Sequence, residues 1–198
     1  MLDRTIPFRN TILRCDQYSP QAPVLPEGFS VVPYQPGDER AWAALECSIG
    51  DFASAGEAEQ YFVSTYLKDR GLQNNLLFLR NAENRAVGSA IAWRDPRGDA
   101  AVSSLHWLVV EESCQGRGLG KALCCAAMNR FCEQGALPVY VHTQPWSWKA
   151  ILLYVSLGFR LQREDSFSHY ENEYAAAMAA LKAILPADRY EALLAASE

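Results

Sequence analysis

A chain of 198 residues is long enough for one domain with a sizeable core, or for one domain with appendages. A formal net charge of −5 argues against nucleic acid as a partner, because phosphate contacts need a basic surface. No apolar run approaches a membrane span and residues 1–7 lack the apolar centre of a secretion signal, so a cytoplasmic protein that engages no membrane is expected. Cys124 and Cys125 are adjacent, but no Cys-x-x-Cys pair occurs, and His106, His142 and His169 show no ligand spacing; reduced thiols and no metal site are expected.

In chain order, residues 1–28 read as an N-terminal arm with a short strand over 11–13 and an extended linker marked by Pro20, Pro23 and Pro26. A strand over 29–34 follows. Asp38 is placed to cap a helix over 39–49, whose Trp42, Leu45 and Ile49 share a face. A second helix over 54–69 carries Ala58, Tyr61, Phe62, Thr65 and Tyr66 at helical spacing and stops at Gly71. The period then changes to two. Strands over 76–79, 86–93 and 100–110, joined by turns at 81–84 and 96–99, predict an antiparallel meander. A helix over 122–134 crosses to a strand over 139–143, which should lie parallel to that of 100–110. Ser147 can cap a helix over 148–156 that closes at Gly158, one further strand is expected within 160–170, and two helices over 173–184 and 187–196 end the chain.

The stretch Gln115-Gly116-Arg117-Gly118-Leu119-Gly120-Lys121 stands between the strand ending at Val110 and a helix. Glycines let a backbone bend and approach a ligand, and the free N–H groups and dipole of a helix start favour an anion, so the stretch is a phosphate site in physical terms. It is not a P-loop, because Gln115 occupies the first glycine position and Ala122 follows the lysine. It is not a dinucleotide fingerprint, because Lys121 occupies the third glycine position. Gln/Arg-x-x-Gly-x-Gly/Ala fits it, and in this it resembles the acyl-CoA pyrophosphate loop of the GNAT superfamily of N-acyltransferases. A second motif agrees: Ser147, Ala150, Tyr154, Gly158 and Phe159 match Asn-x-x-Ala-x-x-x-Tyr-x-x-x-Gly-Phe of that family, with serine in place of asparagine.

The resemblance covers about residues 29–165 and implies a mixed α/β (α+β) fold. Its central sheet is mostly antiparallel, with a splayed parallel strand pair and helices on both faces. The division it implies is an arm over 1–28, an acetyltransferase domain over 29–170 and a helical extension over 171–198, packed on the domain or in a dimer contact. It further implies that Leu108 N–H meets the acetyl carbonyl, that Val109 and Val110 flank the pantetheine, and that residues 115–121 with Ser147 hold the cofactor. Tyr154 would protonate or hydrogen-bond the leaving thiolate. His106, on the strand face of Leu108, resembles a histidine near the substrate amine in arylalkylamine-type acetyltransferases, and is equally readable as a packed strand residue. His142, Gln144 and Trp146 are candidates to line the acceptor pocket. Glu46, Asp51 and Glu111 are reserve bases that also read as surface or capping residues. A family position for a catalytic carboxylate falls on Ser104, which cannot act as a base.

The expectation is thus an N-acetyltransferase, monomer or homodimer, moving an acetyl group from acetyl-CoA to a primary amine without metal or nucleic acid. The acceptor is a small molecule or a protein amine, the former favoured. The alternatives are a non-catalytic acyl-CoA-binding module of the same fold and a purely structural α/β domain.

Overall fold

The β-branched and aromatic runs of this chain pair into seven strands, which form one mixed sheet in a computed structural model describing Asp3 and residues 5–198. Met1, Leu2 and Arg4, at the start of the expected arm, lie outside the described residues. The strands are β1 (Thr11–Cys15), β2 (Ser30–Pro33), β3 (Leu76–Arg80), β4 (Ala86–Arg97), β5 (Ala100–Val110), β6 (Val139–Thr143) and β7 (Arg160–Leu161). The helices are α1 (Glu39–Ile49), α2 (Ala55–Thr65), α3 (Leu72–Asn75), α4 (Leu119–Glu133), α5 (Trp148–Ser156), α6 (Tyr174–Ile184) and α7 (Ala187–Ala195).

The chain forms two compact units, and β4, β5 and α4 contribute residues to both. The first holds residues 20–92 and 106–130, with the antiparallel run β2-β3-β4 and the helix pair α1–α2. From Ala86 to Ala92 every residue of β4 is buried, as in a strand covered on both faces. The second holds residues up to 19, 93–105 and 131–198, with the order β5-β6-β1-β7. Here the expected parallel pair is present: Ser103 pairs with Val139 and Ser104 with Tyr140, while β5 runs on to Val110. The strand expected near Thr11 is a full member of the sheet, antiparallel to β6 from Thr11↔Thr143 to Cys15↔Val139 and to β7 on its other side. In the same unit α7 packs on α5, and α6 on β1.

Several local expectations are corrected. Asp38 stands at the N-cap of α1 but makes no side-chain capping bond; one of its oxygens accepts from Gln35 N–H and the other is held by Arg80 at 2.6 Å. Ser54, not read as a cap, accepts from Glu57 N–H and starts α2, which ends at Thr65, short of Asp69. Ser147 stands at the N-cap of α5 but makes no side-chain capping bond; the chain enters that helix through a 3-10 turn over Pro145–Ser147. Beyond Leu161 the expected strand breaks off. The Asn172 amide donates to the carbonyls of Gln162 and Asp165, folding the segment into a loop instead of a ladder. Gly158 does close α5 in the left-handed conformation (φ 93°), with Phe159 N–H returning to Tyr154 C=O.

Candidate active site

After Val110 the chain makes a 3-10 turn over Glu112–Cys114 and enters the glycine-rich loop. Gly116 and Gly118 both have positive φ, 77° and 78°, and a side chain added at either would meet nothing within 4 Å. Conformation, not lack of space, demands glycine there, and the space left is available to a ligand. Ala122 N–H donates to Gly118 C=O, so the N–H groups of Leu119, Gly120 and Lys121 open α4 without a preceding helical carbonyl. Leu119 is buried and anchors the turn, while Arg117 and Lys121 are exposed beside it. The Arg117 guanidinium lies 4.6 Å over the Phe29 ring, which holds that charge near the loop. Gln115 turns away: its Nε2 donates to Val110 C=O at 2.9 Å and ties the loop to the end of β5.

Over the loop lies a cavity of about 420 Å³. One wall is Arg117, Gly118, Lys121, Ala122 and Cys125; the other is Gln21, Ala22, Val24, Leu25 and Pro26. The proline-rich stretch read as a linker is therefore a wall. It is pinned by a reciprocal amide pair, with Gln21 N–H donating to Asn129 Oδ1 (3.1 Å) and Asn129 Nδ2 donating to Gln21 C=O (2.8 Å).

At the end of β5, Trp107 has φ of 50°, a conformation that L-residues with bulky side chains avoid and that costs about 1–3 kcal/mol. Its indole stands edge-on to Trp42 (5.4 Å, 86°) in a cluster with Phe52 and Tyr61. The Trp107 Nε1–H donates to Tyr66 Oη at 2.7 Å, and His106 Nδ1 lies 3.0 Å from the same oxygen. An indole N–H only donates, so Oη accepts from it and can send its own hydrogen to Nδ1. His106 then carries its hydrogen on Nε2. With Nδ1–H donating instead, the ring's lone pair lies on Nε2. Tyr66 was legible only as a member of an apolar helix face, because its partners lie 40 and 41 residues away.

Of the reserve acids, Glu111 is paired to Arg85 and Asp51 is exposed. Glu46 is neither a surface nor a capping residue: it is fully buried, and among the described residues its Oε2 has no hydrogen-bond partner. Burial, then the charge of Asp51, push its carboxyl well above the usual carboxylate range, against a smaller opposing effect of Ser89. Ser104 Oγ donates to the buried Asp95 at 2.5 Å.

The remaining candidates belong to the second unit. Tyr154 is buried, its ring 5.6 Å from Phe159. Gln144 Nε2 donates to Ser147 Oγ at 3.1 Å, so these two engage each other. His142 stacks on Tyr170 (3.7 Å, 12°), with Nε2 2.8 Å from Asn10 Oδ1, and Trp146 lies 5.3 Å from Phe8. Tyr140 is buried and donates to Asp165 at 2.8 Å. Among the described residues no group of three or more His, Cys, Asp or Glu is placed to hold a metal, and no helix is long and apolar enough to cross a membrane.

A sequence model described as the acetyltransferase (GNAT) family matches residues 41–159. Among curated relatives, the mycothiol acetyltransferase of Streptomyces griseus is 23% identical over 145 residues, covering 72% of this chain and 47% of the relative. That of Pseudarthrobacter chlorophenolicus is 29% identical over 140 residues, covering 68% and 43%. The chain thus spans about half the length of the curated relatives it matches. Two solved structures share the fold. A GCN5-related N-acetyltransferase from Sphaerobacter thermophilus has a TM-score of 0.60 at 21% identity, covering 78% of this chain and 49% of its own. A GNAT-family acetyltransferase from Staphylococcus aureus has a TM-score of 0.57 at 18% identity, covering 73% and 92%.

Proposed function

The chain belongs to the acetyltransferase (GNAT) family, and from that premise we propose that it moves an acetyl group from acetyl-CoA to the primary amine of a small molecule, by direct attack in a ternary complex. The observation that carries this reading is the loop of Gly116 and Gly118 at the start of α4, opening on a cavity of about 420 Å³ with Arg117 and Lys121 beside it. Helix-start N–H groups and two cations suit a pyrophosphate. The name carried by the curated relatives supports a small acceptor.

In this reading the N–H groups of residues 116–121 hold the pyrophosphate, Val109 and Val110 flank the pantetheine, and Leu108 N–H meets the acetyl oxygen. The amine loses one proton before it attacks, and His106, in the tautomer with its lone pair on Nε2, is the proposed acceptor. As nitrogen bonds to the carbonyl carbon, negative charge grows on the oxygen facing Leu108 N–H. The C–S bond then breaks, Tyr154 supplies a proton to the leaving sulfur, and the second proton shed by the amide nitrogen passes to solvent, from which the Tyr154 phenol is restored. Ser147 is assigned to the donor side, and His142, Gln144 and Trp146 to the acceptor side.

The test is thermal unfolding with and without acetyl-CoA, followed by a thiol-release screen of amines. A melting shift in the wild type, absent in a folded Gly118→Glu variant, is expected, because the added carboxylate fills and repels the phosphate position. Thiol release with some amine, reduced about 10²-fold or more in Tyr154→Phe, is the expected second result. Binding without thiol release from any amine would leave a CoA-binding module, and no melting shift would remove the donor site.

A further inference from the structure

Ser89, fully buried on β4, has one hydroxyl hydrogen and two oxygen neighbours. Its Oγ lies 3.5 Å from Glu46 Oε1 and 3.5 Å from the carbonyl oxygen of Trp107, both at the long end of hydrogen bonding. If Glu46 is a carboxylate, the single hydrogen serves only one of them. If Glu46 is a carboxylic acid, its O–H donates to Ser89 Oγ and the Ser89 O–H donates to Trp107 C=O, so both links are made. Burial of Glu46 beside Asp51 favours the acid.

The carbonyl at the end of this chain is special for two reasons. It belongs to the residue at φ 50°, where the strand backbone is strained. It also shares its peptide plane with Leu108 N–H. A hydrogen bond to the oxygen of a planar peptide fixes the direction of the N–H on its opposite side and draws electrons from it. We propose that Glu46 and Ser89 are positioning residues that orient and polarise the Trp107–Leu108 peptide, making Leu108 N–H a stronger and better-aimed donor to the acetyl oxygen, a role that rests on the reading of Leu108 given above. No group needs to pass from Glu46 to the substrate, which agrees with its complete enclosure.

The experiment reads the peptide directly and then the reaction, in the full chain. The other titratable groups near Glu46 and Trp107 are Asp51, beyond the end of α1, Tyr61 and Tyr66 of the α2 segment and His106 of β5. The carbonyl-carbon resonance of Trp107 and the amide resonance of Leu108 are followed against pH by NMR in the wild type, Glu46→Gln and Ser89→Ala. The expected result is a titration in the wild type that is absent from Glu46→Gln, whose amide can still donate to Ser89, and a displaced, pH-independent pair in Ser89→Ala. A titration that persists in Glu46→Gln belongs to another group, such as His106, and overturns the proposal. So do unchanged resonances in Ser89→Ala. With an amine that supports thiol release, kcat is expected to fall about tenfold in Ser89→Ala and Glu46→Leu, with KM for acetyl-CoA within about twofold. Glu46→Gln is expected to restore most of that loss. Loss in the glutamine variant as deep as in the leucine variant makes Glu46 a base and overturns the proposal. If no amine releases thiol, the reading of function fails, and the resonances alone decide the chain from Glu46 to Leu108.

Discussion

Two acids in this protein, the half-buried Asp165 and the fully buried Glu46, respond to pH with opposite signs. Asp165 is held by Tyr140 and Arg14 at 2.8 Å and by Arg97 at 2.5 Å. Burial works to raise its pKa, but hydrogen bonds from Tyr140 and Arg14 and the charge of Arg97 outweigh it, and the carboxyl sits below its ordinary value. A depressed acid contributes stability that is present above its unfolded pKa and lost as pH falls through the folded one. Asp165→Asn should therefore cost about 1–3 kcal/mol at neutral pH, in a gap that closes below about pH 4. Glu46 is raised, so it weighs against folding once pH exceeds its unfolded value. Glu46→Gln should melt higher than the wild type above about pH 4.5, by a margin that grows with pH. Urea unfolding of both variants across pH checks the two signs together, and a common sign would refute the assignment.

The strand pair β4–β5 is set by space as much as by hydrogen bonding. A Cβ at Gly88 would lie 2.7 Å from Val109 C=O, closer than real Cβ atoms come, with Leu79 and Val110 side chains at 3.4 Å. Gly88 does not have positive φ, so its requirement is room for the neighbouring backbone. Gly88→Ala must push β5 aside where Val87 C=O accepts from Glu111 N–H. The expected cost is about 1–3 kcal/mol in unfolding, with weaker acetyl-CoA binding because Leu108 and Val110, proposed to meet the donor, move with the strand. Unfolding and melting-shift measurements on the same sample separate the two effects; wild-type values in both would mean that the strands yield without strain.

What the whole chain shows of itself in sequence follows the reach of each interaction. The glycine loop was legible because its chemistry is local: Gly116, Gly118 and the start of α4 are neighbours in the chain. The strand periods and the crossover to β6 were legible for the same reason, and the short β1 was seen but not its place beside β6. Glu46 meets Ser89 across 43 residues and Ser89 meets Trp107 across 18, and no spacing rule joins such positions. A tryptophan at positive φ runs against local preference, so the bend in β5 left no signal. The prolines near Gln21 announced an extended chain without saying what it would face. The same bend leaves an optical mark. Two indoles 5.4 Å apart and nearly perpendicular, Trp42 and Trp107, are close enough for their excited states to couple. A near-ultraviolet circular dichroism couplet that vanishes in Trp42→Phe is the expected signature. It would let the shape of β5 at Trp107 be followed by light alone.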